Sequence, residues 1–222
     1  MRGLPGQNLK KTGAASVLTV ALLLLSLYQS HAALQDSGAI MQDNCLKELL
    51  QFTAGSHVAG FGQREMYLAS GDNVLKVTFV GARAVSPEEF GNPSSAHTGF
   101  RAARPLEMVR YKDLWNSVTL VYEKSAGAVM KSTYHVAPSA GDSKGVDRGS
   151  PVDHIRLRYN VPVRIDDNSN LLLSFETGQL RESAPIAWQE INGRRVPVEV
   201  SFRALGDDEI GFCVDDYDQS FP

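Results

Sequence analysis

Few residues in this chain could do chemistry, and their spacing decides what that chemistry would be. Ser56 and His57 stand together in a glycine-rich stretch, Ala54-Gly-Ser-His-Val-Ala-Gly60. Nucleophilic acyl transfer at such a serine needs Gly-x-Ser-x-Gly between a strand and a helix, and neither that spacing nor the helix is present. The pair reads as a loop serine beside a histidine. His97, His135 and His154 are scattered, with no i, i+4 pair on a helix to hold zinc. Glu176, Glu182 and Glu190 could supply the two carboxylates of a glycosidase, yet carboxylates on alternating strands read as solvated faces. Asp166-Asp-Asn-Ser-Asn170 shares the composition of a calcium loop but lacks its central glycine and later bidentate glutamate, so a turn is favoured. No catalytic, cofactor-binding or metal-binding residue is assigned, and no cofactor is expected.

The 222 residues, 43% hydrophobic with a formal charge of −3, describe an ordinary globular chain. No clustered basic face marks a nucleic-acid partner. Arg2, Lys10 and Lys11 precede an apolar run over residues 14–28, and Ser30 and Ala32 supply small residues two apart. That order is the pattern of a secretory signal helix cleaved near Ala33, and the run is shorter than the roughly 20 residues of a membrane span. The mature chain is therefore expected to be secreted or at the cell surface, with no membrane contact after cleavage. Cys45 and Cys213 then meet an oxidising compartment, where pairing and two free thiols both stay open.

The elements that must position these residues are strands. In Ile155-Arg-Leu-Arg-Tyr159 the apolar side chains fall on one face and the arginines on the other. Leu171, Leu173 and Phe175 repeat the pattern, and Val196-Pro-Val-Glu-Val-Ser-Phe202 repeats it with valines at every second position. Residues 66–80 read as a hairpin turning at Ser70-Gly-Asp-Asn73, residues 108–136 as further strands, and residues 209–214 as a last one. Residues 44–52 form a short helical candidate that Asn44 could cap. The expected fold is all-β: antiparallel, sandwich-like sheets in two sub-modules behind the signal helix. The expected divisions are a signal peptide over 1–32, a leader with the short helix over 33–52, a β sub-module and loop over 53–104, and a second β sub-module over 105–222.

The hairpin at Asn192-Gly193 admits two registers. A two-residue type I′ loop sets Ile191 opposite Arg194 and Trp188 opposite Pro197. A three-residue loop with Gly193 as a bulge sets Trp188 opposite Val196 and Ile186 opposite Val198. The second unites the apolar side chains, each worth roughly 1.5–3 kcal/mol when buried. The bulged register is the expectation, with Trp188, Gly193, Val196 and Val198 as its structural residues.

A longer set of words carries a resemblance. Tyr111-Lys-Asp-Leu-Trp115, Val118-Thr-Leu-Val-Tyr122, Tyr134-His-Val-Ala-Pro138, Ile155-Arg-Leu-Arg-Tyr159, residues 182–198 from Glu182-Ser-Ala-Pro to Arg-Val-Pro-Val198, Gly211-Phe212 and Tyr217-Asp218 follow in order. In this order they resemble the uncharacterised N-terminal domain of bacterial secreted proteins that carry seven-bladed β-propeller (SBBP-type) repeats. The loop over residues 139–150 is longer than the family's connection. The resemblance implies an extracellular, non-catalytic structural or binding domain, the N-terminal part of a larger protein with propeller repeats downstream, and an extracellular protein or glycan as partner. The alternative is a secreted carbohydrate-active hydrolase on a β-sandwich. A binding module predicts exposed aromatics such as Tyr111 or Trp115; an enzyme predicts two carboxylates facing each other across a cleft.

Overall fold

A computed structural model describes residues 18–27, 49–71, 73–90, 104–137 and 150–217. These residues build two sheets. The first runs β12 (Val163–Ile165), β13 (Leu171–Phe175), β14 (Gly178–Glu182), β1 (Leu18–Leu27), β10 (Met130–Val136), β9 (Val118–Glu123), β8 (Met108–Trp115), β6 (Glu88–Phe90). The hairpin of β15 (Ile186–Ile191) and β16 (Arg194–Val198) joins it at β1. The second runs β17 (Val200–Ala204), β18 (Glu209–Val214), β11 (Leu157–Tyr159), β5 (Asn73–Phe79), β4 (Glu65–Ser70), β3 (His57–Phe61), β2 (Leu50–Ala54), β7 (Arg104–Pro105). Every described pairing is antiparallel except β2 with β7.

The faces follow the sequence alternation. Ile155, Leu157 and Tyr159 are buried while Arg156 and Arg158 are exposed, so β11 sits half in the core as its period requires. Aromatic pairs lock the two sheets face to face: Phe79 with Tyr111 at 5.4 Å, Phe61 with Tyr122 at 5.3 Å, and Tyr134 with Phe212 at 5.4 Å between ring centroids. Two polar tips are satisfied across the gap. Tyr111 Oη donates to the Gly62 carbonyl at 2.8 Å and Trp115 Nε1 to the Val80 carbonyl at 2.9 Å. A 3₁₀ turn, Pro151–His154, is capped by Ser150, whose Oγ accepts from the Val152 amide while its own amide donates to the Asp153 carboxylate.

The all-β expectation holds among the described residues, and several details differ. Leu18–Leu27 is a strand rather than part of a signal helix, because its neighbours β10, β14 and β15 offer unpaired backbone on both sides. Leu50–Ala54 is strand β2, so the end of the helical candidate is extended; residues 44–48 lie outside the described residues. The boundary expected before residue 105 does not separate the sheets. The second sheet joins strands from residues 50–79 to strands from residues 157–214, and the first takes β6 from before that boundary. The valine run over residues 196–202 is two strands, β16 in the first sheet and β17 in the second, and the chain changes sheets at Glu199.

The register at Asn192-Gly193 is the type I′ one. Ile191 stands opposite Arg194, Trp188 opposite Pro197 and Gln189 opposite Val196, with Asn192 at φ 52° and Gly193 at φ 74°. The bulged expectation fails because it took Trp188 to mark the core face. Ala187 and Gln189 point inward instead, Val198 is half-buried with them, and Val196 on that same face is exposed. Trp188 lies on the outer face, half-buried beneath the Arg195 guanidinium at 4.9 Å. Gly193 takes the positive φ that a type I′ loop asks of it.

Candidate functional site

The most unusual chemistry lies between the sheets. Gly178-Gln-Leu-Arg-Glu182 alternates so that Leu180 and Glu182 share the inward face of β14, and β11 sends Tyr159 to meet them. Tyr159 Oη donates to Glu182 Oε2 at 3.2 Å. Tyr122, Tyr134 and Ser132 complete the polar part of a cavity of about 10 Å³, otherwise lined by Met66, Leu75, Val77 and Leu157. That is room for one water at most, not for a substrate. Burial pushes the Glu182 carboxyl up to about 7, against the downward pull of the Tyr159 hydrogen bond. Burial likewise drives the Tyr122, Tyr134 and Tyr159 hydroxyls well above the ordinary phenol range, with the nearby Glu182 adding to it. The tyrosines are held neutral, and Glu182 is divided between its neutral and charged forms near pH 7.

A second carboxylate is buried by a different route. Glu209 on β18 faces outward, where Arg156 Nε donates to its Oε1 at 2.6 Å and Arg158 Nη2 to its Oε2 at 2.8 Å. Burial works to raise this carboxyl; the hydrogen bonds from Arg158 and Arg156 overcome it and hold it below the ordinary carboxylate range. Its acceptors are engaged by the two guanidinium groups.

The other sequence candidates are not brought together. Glu176 is exposed in the β13–β14 turn, and Glu190 is exposed and 3.6 Å from Arg195, so neither faces Glu182 across a cleft. Ser56 is exposed in the β2–β3 turn with its Oγ 3.3 Å from His57 Nδ1, and burial lowers the His57 pKa. His135 is half-buried on β10, lowered first by burial, and His154 is exposed in the 3₁₀ turn; His97 lies outside the described residues. Asp166 closes its turn by accepting from the Asn168 and Asn170 amides at 2.9 and 2.8 Å, and hydrogen bonding to Asn170 lowers its pKa. Among the described residues no three His, Cys, Asp or Glu side chains gather as metal ligands. Cys213 is an exposed free thiol, and Cys45 lies outside the described residues. Tyr111 and Trp115, expected to be exposed if the chain binds ligands, are buried core residues bonded to carbonyls of the opposite sheet or its loops.

What the sequence reading missed is the pairing of Glu182 with Tyr159. The signal was available: Glu182 is in phase with Leu180, and Tyr159 with Leu157 and Ile155. Both therefore belong to inward faces. The family to which these strands belong is settled by a match of a domain of unknown function, DUF7948, to residues 64–222. The chain belongs to that family. The DUF7948 match takes in β4 through β18 and leaves out β1, β2 and β3. No curated protein and no solved structure matches the chain.

Proposed function

We propose that this chain is an exported, non-catalytic structural or binding domain, the N-terminal part of a larger surface protein whose downstream region is an array of propeller repeats. Its partner is an extracellular protein or glycan. The observation that carries the non-catalytic reading is the disposition of the two buried carboxylates. Glu182 is sealed in a cavity too small for a substrate, and both oxygens of Glu209 are engaged by arginines. A general acid or base must come within hydrogen-bond reach of a substrate proton, and neither is open to one. Export is supported by the basic, apolar and small-residue order of residues 1–32, and the link to propeller repeats by the words from Tyr111 to Asp218 that resemble such proteins.

The test is a hydrolysis panel of ester, peptide and glycoside substrates beside a glycan array, run on exported protein. Binding without turnover is expected. Turnover abolished by changing one polar residue would overturn the reading.

A further inference from the structure

The apolar segment that the sequence marks for removal is the strand that closes the first sheet. β1 pairs along one edge with β10, from Leu18 opposite Val136 to Leu24 opposite Met130. Along its other edge it pairs first with β15, Leu18 opposite Gln189, and then with β14, ending at Leu27 opposite Gln179. Leu18 and Val20 lie in the core, 2% and 0% exposed. Without β1, three strands each lose one of their two ladder partners and the core opens along a slot one strand wide. Both walls of that slot belong to the DUF7948 match, and the strand between them does not.

The walls also carry polar atoms that β1 leaves without a hydrogen bond, one of them on Arg181, whose charge also lies near the Asp166 carboxylate. Among the described residues, two buried side-chain polar atoms have no hydrogen-bond partner, Thr133 Oγ1 and Arg181 Nε. Thr133 is on β10 opposite Ala21, and Arg181 is on β14 opposite Leu25. Tyr134 and Glu182 point inward, so their neighbours Thr133 and Arg181 face outward, on the side of the sheet where positions 21 and 25 fall. Buried polar groups ordinarily find partners. A strand with hydrogen-bonding side chains at those two positions would supply them.

We propose that the space between β10 and β14–β15 is a strand-acceptor groove, filled in the exported protein by an extended segment of a partner polypeptide running antiparallel to β10. The partner segment places apolar side chains at the positions of Leu18 and Val20, and a hydroxyl and a carboxylate at those of Ala21 and Leu25. Main-chain pairing on both edges gives affinity and the alternate side chains give selectivity. A second copy of the exported chain does not fit. Residues 33–48, 91–103, 138–149 and 218–222, which are not committed to described strands, carry no apolar residues at three successive alternate positions. The inference rests on the reading that residues 1–32 are removed on export.

The experiment expresses the full chain in an export-competent bacterium, sequences the N-terminus of the exported protein, and records its unfolding midpoint with synthetic strands. One peptide carries residues 18–27 flanked by lysine pairs for solubility; a second adds Ala21→Ser and Leu25→Asp; a third carries Val20→Asp alone. Protein beginning near Ala33 is expected to gain roughly 5–10 °C at about a hundred-fold excess of the first peptide over its Kd. The second should bind about ten-fold tighter, as a charge-assisted bond to Arg181 implies, and the third should give no shift. Protein that is soluble and folded only when the first peptide is co-expressed supports the groove equally. Protein beginning near Ala33 that is folded and unmoved by every peptide, or moved equally by the third, overturns the groove and leaves export standing. Protein that retains Met1 overturns the cleavage reading and the partner together, because the chain then fills its own slot.

Discussion

Glu182 and Glu209 are equally withdrawn from solvent, 4% and 5% exposed, and their surroundings drive them in opposite directions. Glu182 lies between the sheets among tyrosines and aliphatic side chains, with one neutral donor, and its pKa rises to about 7. Glu209 lies on the outer face of the second sheet beneath two half-exposed arginines, and its pKa falls. Exposure is nearly the same for both, but Glu182 lies deep between the sheets and Glu209 lies near the surface. Depth and the presence of positive charge together decide whether the charged or the neutral form is favoured. The Arg156 and Arg158 side chains that bond Glu209 are themselves half-exposed, so this burial does not remove the charges from solvent altogether.

The largest expected effect comes from taking the charge away from Glu182. Its folded pKa lies above the ordinary 4.5, so the folded state binds a proton that the unfolded state releases between about 4.5 and 7. The stability from this group is complete below 4.5 and declines as pH rises through 7, by about 3 kcal/mol in all. Glu209 has the opposite sign: its contribution is present above 4.5 and is lost as pH falls through its depressed value. The two together place their joint maximum near pH 4.5. Glu182→Gln is expected to raise stability at pH 8 by about 3 kcal/mol and to flatten the decline between pH 5 and 8. Denaturant melts across that range measure it, and a wild-type profile with no decline would break the comparison.

The next effect is at the other carboxylate. Breaking a fully buried ion pair costs about 3–5 kcal/mol, but Arg156 and Arg158 are half-exposed and can be rehydrated, so Glu209→Gln is expected to cost about 1–2 kcal/mol at pH 7. The loss should shrink in acid, where the wild-type carboxyl is itself protonated. A loss that does not change as pH falls from 7 until the wild-type carboxyl is protonated would mean that Glu209 acts through shape rather than charge.

The strands of both sites were legible in the sequence, and the partners of neither carboxylate were. The strands around Glu209 announce themselves: Ile155-Arg-Leu-Arg-Tyr159 has a clean two-residue period, and Glu209 opens the last apolar run. Local alternation was enough to place Arg156 and Arg158 on one outer face. Glu182 needed a tertiary fact, that the β14 face carrying Leu180 packs against the β11 face carrying Tyr159, and alternation within a strand does not say which strands meet. The Asn192-Gly193 hairpin failed for a related reason. Turn chemistry gave the correct register, and it was overridden by assigning Trp188 to the core; a tryptophan stacked under an arginine on the outer face satisfies the same apolar demand. Residues 18–27 show the limit most clearly, since an apolar run reads alike as a secretion segment and as a buried strand.

Tyr159→Phe sharpens the contrast at smaller scale. The hydroxyl supplies the hydrogen bond that holds the Glu182 pKa down, so removing it is expected to raise that pKa above 7 and to cost about 1 kcal/mol. The descending arm of the pH profile should move to higher pH. A change in stability with no movement of that arm would assign Tyr159 a packing role only.

Salt separates the two carboxylates by the smallest margin. The arginine side chains that hold Glu209 are 47% and 51% exposed, within reach of counterions. Raising ionic strength from 0.1 to 1 M shortens the screening length from about 10 to about 3 Å, and exposed pairs are worth at most about 1 kcal/mol to begin with. The penalty of Glu209→Gln at pH 7 should therefore shrink by a few tenths of a kcal/mol, roughly 0.3, when salt is raised. Glu182 has no such access: it sits between the sheets with a neutral tyrosine, and the gain from Glu182→Gln should be the same at both salt concentrations. Measuring each mutant against wild type at matched salt cancels the general effect of salt on folding, so the difference between the two carboxylates isolates screening. A salt-sensitive Glu182 would mean that its cavity communicates with solvent, and the distinction between the two kinds of burial would fail.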